Sequence, residues 1–273
     1  MAHWEKEKQV VERTPSPITK SQLIEDLRRI GVHSGDIVSV HSSMSEIGWV
    51  IGDQLTLIEA LMEAVTEEGT IVMQAHSTGN SDPSNWSYPP VPEEWWDVIR
   101  SEMPPFRQEV TPLRNLGRVP ELFRTMPGVL RSNHPHVSVT AWGKHATEIV
   151  KEHDLEDSYG DKTPWGVLYR LGSKVLLIGV DHENNTALHF GEGKASTSTT
   201  PRQVTGAAVI KDDERRWVSW EEIVYNSDDF QELGAAYERS IGYKPIRVGQ
   251  AESRLLPMKE LIEFAIDWFR KNR

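Results

Sequence analysis

His189 and Glu192 stand three residues apart, just beyond the most apolar run in the chain, Lys174 to Val180. On a helix that spacing puts both side chains on one face, where a carboxylate raises the basicity of a neighbouring imidazole or grips a cationic ligand. Ligands of open α/β sheets collect at the carboxyl ends of strands, which is where this pair falls. Acylation of an amine needs a general base, because the attacking nitrogen must lose a proton, and an imidazole suits that task. The alternative is a surface pair making a weak, solvated contact.

A second cluster is Arg131-Ser-Asn-His-Pro-His136, ahead of a strand-like run, where His134 and His136 alternate onto the same face. Two such histidines can bind metal, but no third ligand follows at metal spacing, so no metal is expected and the segment reads as a polar rim or a packed turn. His76, His145, His153 and His182 fall in loops or on helix surfaces and are expected to be solvated. The loop His41-Ser-Ser-Met-Ser45 is small and polar, and its backbone N–H groups face the next helix, where phosphate or thioester oxygens can be met. It matches neither a Walker motif nor a GxGxxG fingerprint. A hydrolase built from Ser42 or Ser43 with His189 would lack the Gly-x-Ser-x-Gly elbow.

The elements that must position these groups follow from periodicity. Thr19 to Gln22 has the form of a capping box, and Leu23, Leu27 and Ile30 continue at helical spacing to Gly31, which predicts a helix over 20–30. Asp36 to His41 reads as a buried strand, Leu55 to Val65 as an amphipathic helix ended by Gly69, and Thr70 to Gln74 as a second strand parallel to the first. That alternation is the rhythm of an α/β layer fold. Residues 75–112 are rich in proline and too irregular for long elements, and Trp86, Tyr88, Trp95, Trp96 and Phe106 argue for an ordered wall of the site. Beyond it the reading gives a short helix over Val119 to Thr125, a strand over Val137 to Ala141 and a helix over Lys144 to His153. A further helix is capped by Thr163 and starts at Pro164, and Asn185 is in place to cap the helix that carries His189. Val204 to Ile210 and Arg215 to Trp220 form a hairpin, followed by helices from Asp228 and from Pro257. Residues 1–18 read as an exposed arm and 19–273 as a single domain.

The 273 residues contain no cysteine, which excludes disulfides, thiolate metal sites and a cysteine nucleophile. A net charge of -11 argues against nucleic acid and is compatible with a polycationic small molecule. No apolar run approaches the ~18 residues of a membrane span, and the charged N-terminal segment lacks a secretory core, so a cytoplasmic protein without membrane contact is expected. Ten tryptophans leave room for a homodimer surface as well as for an aromatic cleft.

Taken together, Val40-His-Ser-Ser-Met-Ser-Glu-Ile-Gly-Trp-Val-Ile-Gly52, Asp82-Pro-Ser-x-Trp86, Pro89-Pro-Val-Pro92, Thr111-Pro112, Arg131-Ser-x-His-Pro135 and Asn185-Thr-x-Leu-His-x-x-Glu192 resemble, in order and spacing, the aminoglycoside N3-acetyltransferase family over roughly residues 20–265. The resemblance implies a layered α/β/α fold with a central mixed β-sheet, distinct from the GNAT acetyltransferase fold. It also implies direct acetyl transfer from acetyl-CoA in a ternary complex. On the matching positions His189 would be the general base, and Glu192 would orient it or hold a substrate ammonium. Ser42, Ser43, Met44 and Ser45, with Thr111 and Arg114 opposite, would line CoA. Asp82, His134 and Glu183 would form the acceptor wall. The family usually has glycine where Asp53 stands and proline where Gln74 stands, and Arg107-Gln-Glu109 is unusual, so the acceptor is less settled than the catalysis. The expected function is acetylation of the 3-amino group of 2-deoxystreptamine. The alternatives are acyl transfer to another amine or hydroxyl of a natural product, and a CoA-binding protein without turnover.

Overall fold

The computed structural model describes residues 3–273; Met1 and Ala2 of the expected arm lie outside them. Helix α1 covers His3–Arg13, and Ile18, buried, bridges to Val50. Helix α2 (Lys20–Ile30) starts where Thr19 accepts from the Gln22 N–H and stops at Gly31 with φ 107°, as the capping box and glycine predict. Strand β1 (Ile37–Ser42) leads through a four-residue turn of helix, α3 (Met44–Ile47), into α4 (Asp53–Val65). Helix α4 ends at Thr66, φ 61°, whose N–H caps Met62 O, and not at Gly69. Gly69 instead allows the close approach of Asp36 O and Val65 O, each 2.6 Å from where a Cβ would stand. Strand β2 (Thr70–Gln74) pairs parallel to β1.

The long connection holds three short 3₁₀ turns and α5 (Trp96–Glu102). Then come α6 (Arg118–Phe123), β3 (Leu130–Arg131), β4 (Val139–Gly143), α7 (Ala146–Val150), α8 (Pro164–Arg170), β5 (Lys174–Ile178) and α9 (Leu188–Ala195). Hairpin β6 (Arg202–Lys211) and β7 (Glu214–Ile223) is longer than its sequence pattern predicts. Its turn residues Asp212 and Asp213 have φ 53° and 61°, the two positive values that a two-residue hairpin turn demands. Helix α10 (Phe230–Ile241) is followed by β8 (Ile246–Val248) and β9 (Ala251–Pro257), which the sequence did not reveal, and by α11 (Met258–Asn272).

The sheet runs β3-β4-β2-β1-β5-β9-β8. Its centre, β2-β1-β5, is parallel, and antiparallel strands flank it on both sides. The fold is therefore a mixed sheet between helical layers. Strand alternation assigns the faces: Val38, Val40, Ile71, Met73, Leu176 and Ile178 pack under α2, α4 and α6. Val72, Val175 and Leu177 point the other way, toward α8, α9, α10 and α11. None of the described helices is long and apolar enough to cross a membrane.

One packing contact in the second layer gives a stability prediction. His182 is 1% exposed, and a Cβ on Gly234 of α10 would lie 1.9 Å from His182 Cγ. Gly234→Ala should destabilise the fold by about 1–3 kcal/mol through overpacking, despite the better helix propensity of alanine. A urea melt with an unchanged or higher midpoint would rule this out.

Candidate active site

The three parallel strands end together, and the chain leaves them at Ser42, Gln74 and Ile178. The connection after β5 passes through a 3₁₀ turn, His182–Asn184, before α9 begins at Leu188. Asn185 does not cap that helix; Ala187 occupies the cap, and Asn185 is fully buried with neither amide atom hydrogen-bonded. His189 lies in the first turn of α9, and its Nδ1 donates to Glu192 Oε2 at 2.6 Å. The pair is no solvated surface contact, because Glu192 is 6% exposed. Glu192 Oε1 accepts from the Asn226 N–H at 2.9 Å and from Arg273 Nη1. The imidazole is walled by Tyr159, Tyr225 and Phe230, with ring centroids at 4.8, 5.4 and 4.7 Å. With Nδ1–H directed at the carboxylate, Nε2 is the nitrogen left to accept a proton.

His76, following β2, is within electrostatic reach of His189, and its Nε2 is buried without a partner. Burial, then His189, holds its imidazole down to about 3. His41, at the end of β1, is likewise held to about 3 by burial and by His76, and its Nε2 accepts from Gln74 Nε2 at 3.0 Å. Gln74, in place of the proline usual in the family, supplies that partner. Asp53, in place of glycine, adopts φ 55° and pairs with Arg118.

The serine loop leaves β1 with Ser43 N–H already bonded to Ile178 O at 2.9 Å, so that group is not free for a ligand. Ser43 Oγ and Ser45 Oγ lie 3.0 Å apart, and Ser45 O accepts from Arg13. Thr111 and Arg114 line one cleft of about 510 Å³ with Ser77 and Arg107. Arg114 N–H donates to His76 O at 2.9 Å, which ties this cleft to the strand ends. The Arg114 side chain is exposed, crosses Gly79 and forms no ion pair among the described residues.

The connection that builds this wall is ordered less by its aromatics than by hydrogen bonds, since Tyr88 is 94% and Trp95 52% exposed. Phe106 N–H bonds Ala208 O on β6 at 2.8 Å, and Asn85 Nδ2 bonds Val204 O at 3.1 Å. Buried Arg131, to which sequence reading gave no role of its own within the histidine cluster, donates to Ala75 O at 2.8 Å and to Thr111 O at 2.6 Å and lies over the Phe106 ring. Burial lowers its guanidinium to about 10, still charged at neutral pH.

The expected acceptor wall fares unevenly. His134 is fully buried: its Nδ1 accepts from the His136 and Val137 N–H groups, both at 3.1 Å, and its Nε2 meets Ser158 Oγ at 3.2 Å, so it is a packed turn. Burial, then His153 and His136, keeps it neutral. Asp82 holds Arg100 Nε at 3.0 Å and Nη2 at 2.9 Å and also accepts from Ser84. Burial alone would raise its carboxyl, but Arg100 and Ser84 prevail and lower it. Glu183 is exposed. Nor are the remaining histidines all solvated. His153 and His182 are buried, bonded to Ser132 and to Glu238, whereas half-exposed His145 meets Glu148. Sequence reading missed Asp157 and Glu222. Asp157 interacts with the Tyr225 hydroxyl, and burial and then Asp154 and Asp161 raise its carboxyl. Glu222 accepts from Ser158 Oγ at 2.6 Å, and burial raises it as well. The signal available was Asp154, Asp157 and Asp161 recurring in one short polar stretch. No group of three or more metal-ligating side chains is present among the described residues.

Residues 40–270 match the family described as aminoglycoside 3-N-acetyltransferase. The chain belongs to that family. It is thereby an acyltransferase, and its fold matches those of solved members. Over 266 residues, 97% of each chain, it is 44% identical to the Bacillus subtilis (strain 168) SPbeta prophage-derived aminoglycoside N(3')-acetyltransferase-like protein YokD. The crystal structure of YokD superposes with a TM-score of 0.94, covering 97% of this chain and 98% of that one. AAC-IIIb, solved as a binary complex with CoASH, gives 0.82 at 27% identity over 94% and 97% of the two chains. AAC-VIa bound to sisomicin gives 0.84 at 28% identity over 94% and 99%.

The buried histidines of this acetyltransferase make its stability pH-dependent. His41 and His76 titrate at about 3, and His136 and His153 at about 4, because burial opposes the charged form. Unfolded histidines take up protons near pH ~6.5, so the unfolded state binds more protons below that pH, and stability falls from there toward pH ~4. Buried His134 and His182 are lowered as well and add to this fall, whereas raised Asp157 and Glu222 act in the opposite sense and are fewer. Urea midpoints should therefore drop steadily between pH 7.5 and 5; a flat profile would contradict neutral burial.

Proposed function

We propose that the enzyme transfers acetyl from acetyl-CoA directly to the 3-amino group of the 2-deoxystreptamine ring of an aminoglycoside, with His189 as general base. The observation that carries this reading is the bond from His189 Nδ1 to Glu192, which leaves Nε2 as acceptor. The amine nitrogen attacks the thioester carbon while its proton passes to His189 Nε2. Collapse of the tetrahedral intermediate breaks the C–S bond and releases CoA as thiolate, which the proton on His189 can neutralise. No acyl-enzyme is needed, which suits a chain without cysteine.

Support for the donor comes from the chain itself as well as from the CoASH complex of AAC-IIIb. A buried donor or acceptor left unmet costs about 1–3 kcal/mol. His76 Nε2 is such an atom, and a polar ligand group would satisfy it. Arg114, with Thr111 beside it in the cleft, would hold a CoA phosphate, and the Ser42, Ser43, Met44 and Ser45 loop would border the thioester end. Sisomicin bound to AAC-VIa supports a polycationic acceptor. Glu183 and Asp157 are exposed carboxylates that would meet its ammonium groups, whereas Asp82 would act indirectly, through Arg100. Dependence on acetyl-CoA is consistent with a cytoplasmic reaction.

The deciding experiment follows thiol release from acetyl-CoA across aminoglycosides with and without a free 3-amino group. The protein has no thiol of its own to react. Turnover restricted to acceptors bearing that amine is expected; silence across the panel, with CoA bound, would move the acceptor to another amine or a hydroxyl. His189→Ala should lower kcat by about 10²- to 10⁴-fold with CoA affinity retained, and unchanged turnover would remove it from the chemistry. Arg114→Ala should raise the KM for acetyl-CoA about tenfold with kcat little changed, the size of one lost charge-assisted contact. An unaltered KM would put the phosphate elsewhere.

A further inference from the structure

Arg273, at the end of α11, is remote in sequence from the His189–Glu192 pair yet touches it. Its Nη1 donates to Glu192 Oε1, the oxygen that His189 does not use. Its Nε and Nη2 fork onto Asp229 at 2.8 and 2.5 Å, and Nη2 also reaches Asn226 O at 2.7 Å. The guanidinium lies over the Phe269 ring, 4.3 Å from its centroid. A bidentate fork held at this many points fixes a planar group in one orientation, which a lysine ammonium does not match. Asn226, whose N–H donates to the same carboxylate oxygen, belongs to the same loop.

We propose that Arg273 is a positioning residue for the catalytic pair: it fixes the Glu192 carboxylate against His189 Nδ1 and clamps the 226–229 loop against the site. The proposal rests on the reading of His189 as general base. Arg273 has two separable effects. Its geometry keeps the carboxylate from rotating away from His189, and so keeps Nε2 aimed at the acceptor. Its charge also offsets part of the field of the Glu192 carboxylate, on the oxygen that His189 does not use.

The other polar and charged groups around the pair do not mimic this. Tyr159 and Tyr225, from the connections before α8 and after β7, have hydroxyls that burial pushes up and out of the physiological range. His76, after β2, is held neutral. Glu222 of β7 and Asp157 lie near the tyrosines and carry no positive charge. Asp229 is the other partner of Arg273. From α10 the Phe230 ring faces the imidazole. Loss of Arg273 therefore removes the one Lys or Arg side chain bonded to Glu192 among the described residues.

The test compares Arg273→Met, Arg273→Lys and His189→Ala by kcat against pH, with thermal melts run in parallel. Arg273→Met should lower kcat at least about tenfold at little cost in acetyl-CoA KM. It should also move the acid limb of the profile to higher pH, because the Glu192 carboxylate would then act on His189 unopposed. Arg273→Lys, which keeps the charge, should return the limb to its parent position and recover only part of kcat. Should Arg273→Met not fold, Asp229→Asn frees the fork and leaves the charge, and a lower kcat with an unmoved limb is expected. A melt lowered by Arg273→Met with kcat and the acid limb of the parent enzyme would reduce Arg273 to a structural tie and overturn the proposal. An active His189→Ala would instead defeat the general-base reading, whatever Arg273 does.

Discussion

A carboxylate withdrawn from water must have all its hydrogen bonds met or it costs several kcal/mol, and Glu192 meets that demand with partners from three separate places. One oxygen takes His189 from the same helix, and the other takes the Asn226 N–H and Arg273. The site therefore exists only when α9, the connection after β7 and the end of α11 are packed together. Gly191 makes the packing of α9 on α11 possible, since a Cβ there would already sit 3.2 Å from Ala265 Cβ. Site geometry and helix packing are in this way one constraint: a shift of α11 against α9 would reach His189 through Glu192.

The sheet explains why the remaining groups gather where they do. Three parallel strands release the chain on the same side, so the connections after Ser42, Gln74 and Ile178 must share one rim. The longest of them would be costly to order, and a guanidinium does much of that work. Arg131 collects carbonyl oxygens from Ala75 at one end of that connection and from Gln108 and Thr111 at the other. Carbonyls solvate the cation without neutralising it, so a positive charge persists behind the cleft that Arg114 borders, a field favourable to phosphate.

Local signals carried the sequence reading wherever structure is decided locally. The capping box before α2, the apolar β1, β2 and β5, and the three-residue spacing of His189 and Glu192 all need only neighbours in the chain to be legible. Strand β9 was not legible because Glu252 and Arg254 interrupt its apolar pattern, and Arg254 is tolerated in an inner strand only because Glu238 of α10 and Glu252 meet it. The same limit misled the reading of polar residues. His134 and Asp82 look available in sequence, but Ser158 and Arg100 engage them, and neither partner is predictable from local pattern. Arg273 was invisible for the same reason, lying 81 positions from the carboxylate it meets.

Acceptor selectivity depends on which acidic groups are left without cations, and net charge alone does not reveal that. Asp161 is paired with Lys194, Asp229 with Arg273 and Glu238 with Arg254, so these contribute little to a cationic ligand. Asp157 and Glu222 form no such ion pair among the described residues; their partners are the hydroxyls of Tyr225 and Ser158. Both carboxyls are raised, which is the same as saying that their surroundings disfavour negative charge left uncompensated. An ammonium brought beside them would relieve that penalty, and they adjoin the two tyrosines that flank His189. On the proposed reaction, a polyamine acceptor would be fixed by the ammonium groups it does not react with, leaving one amine in reach of Nε2.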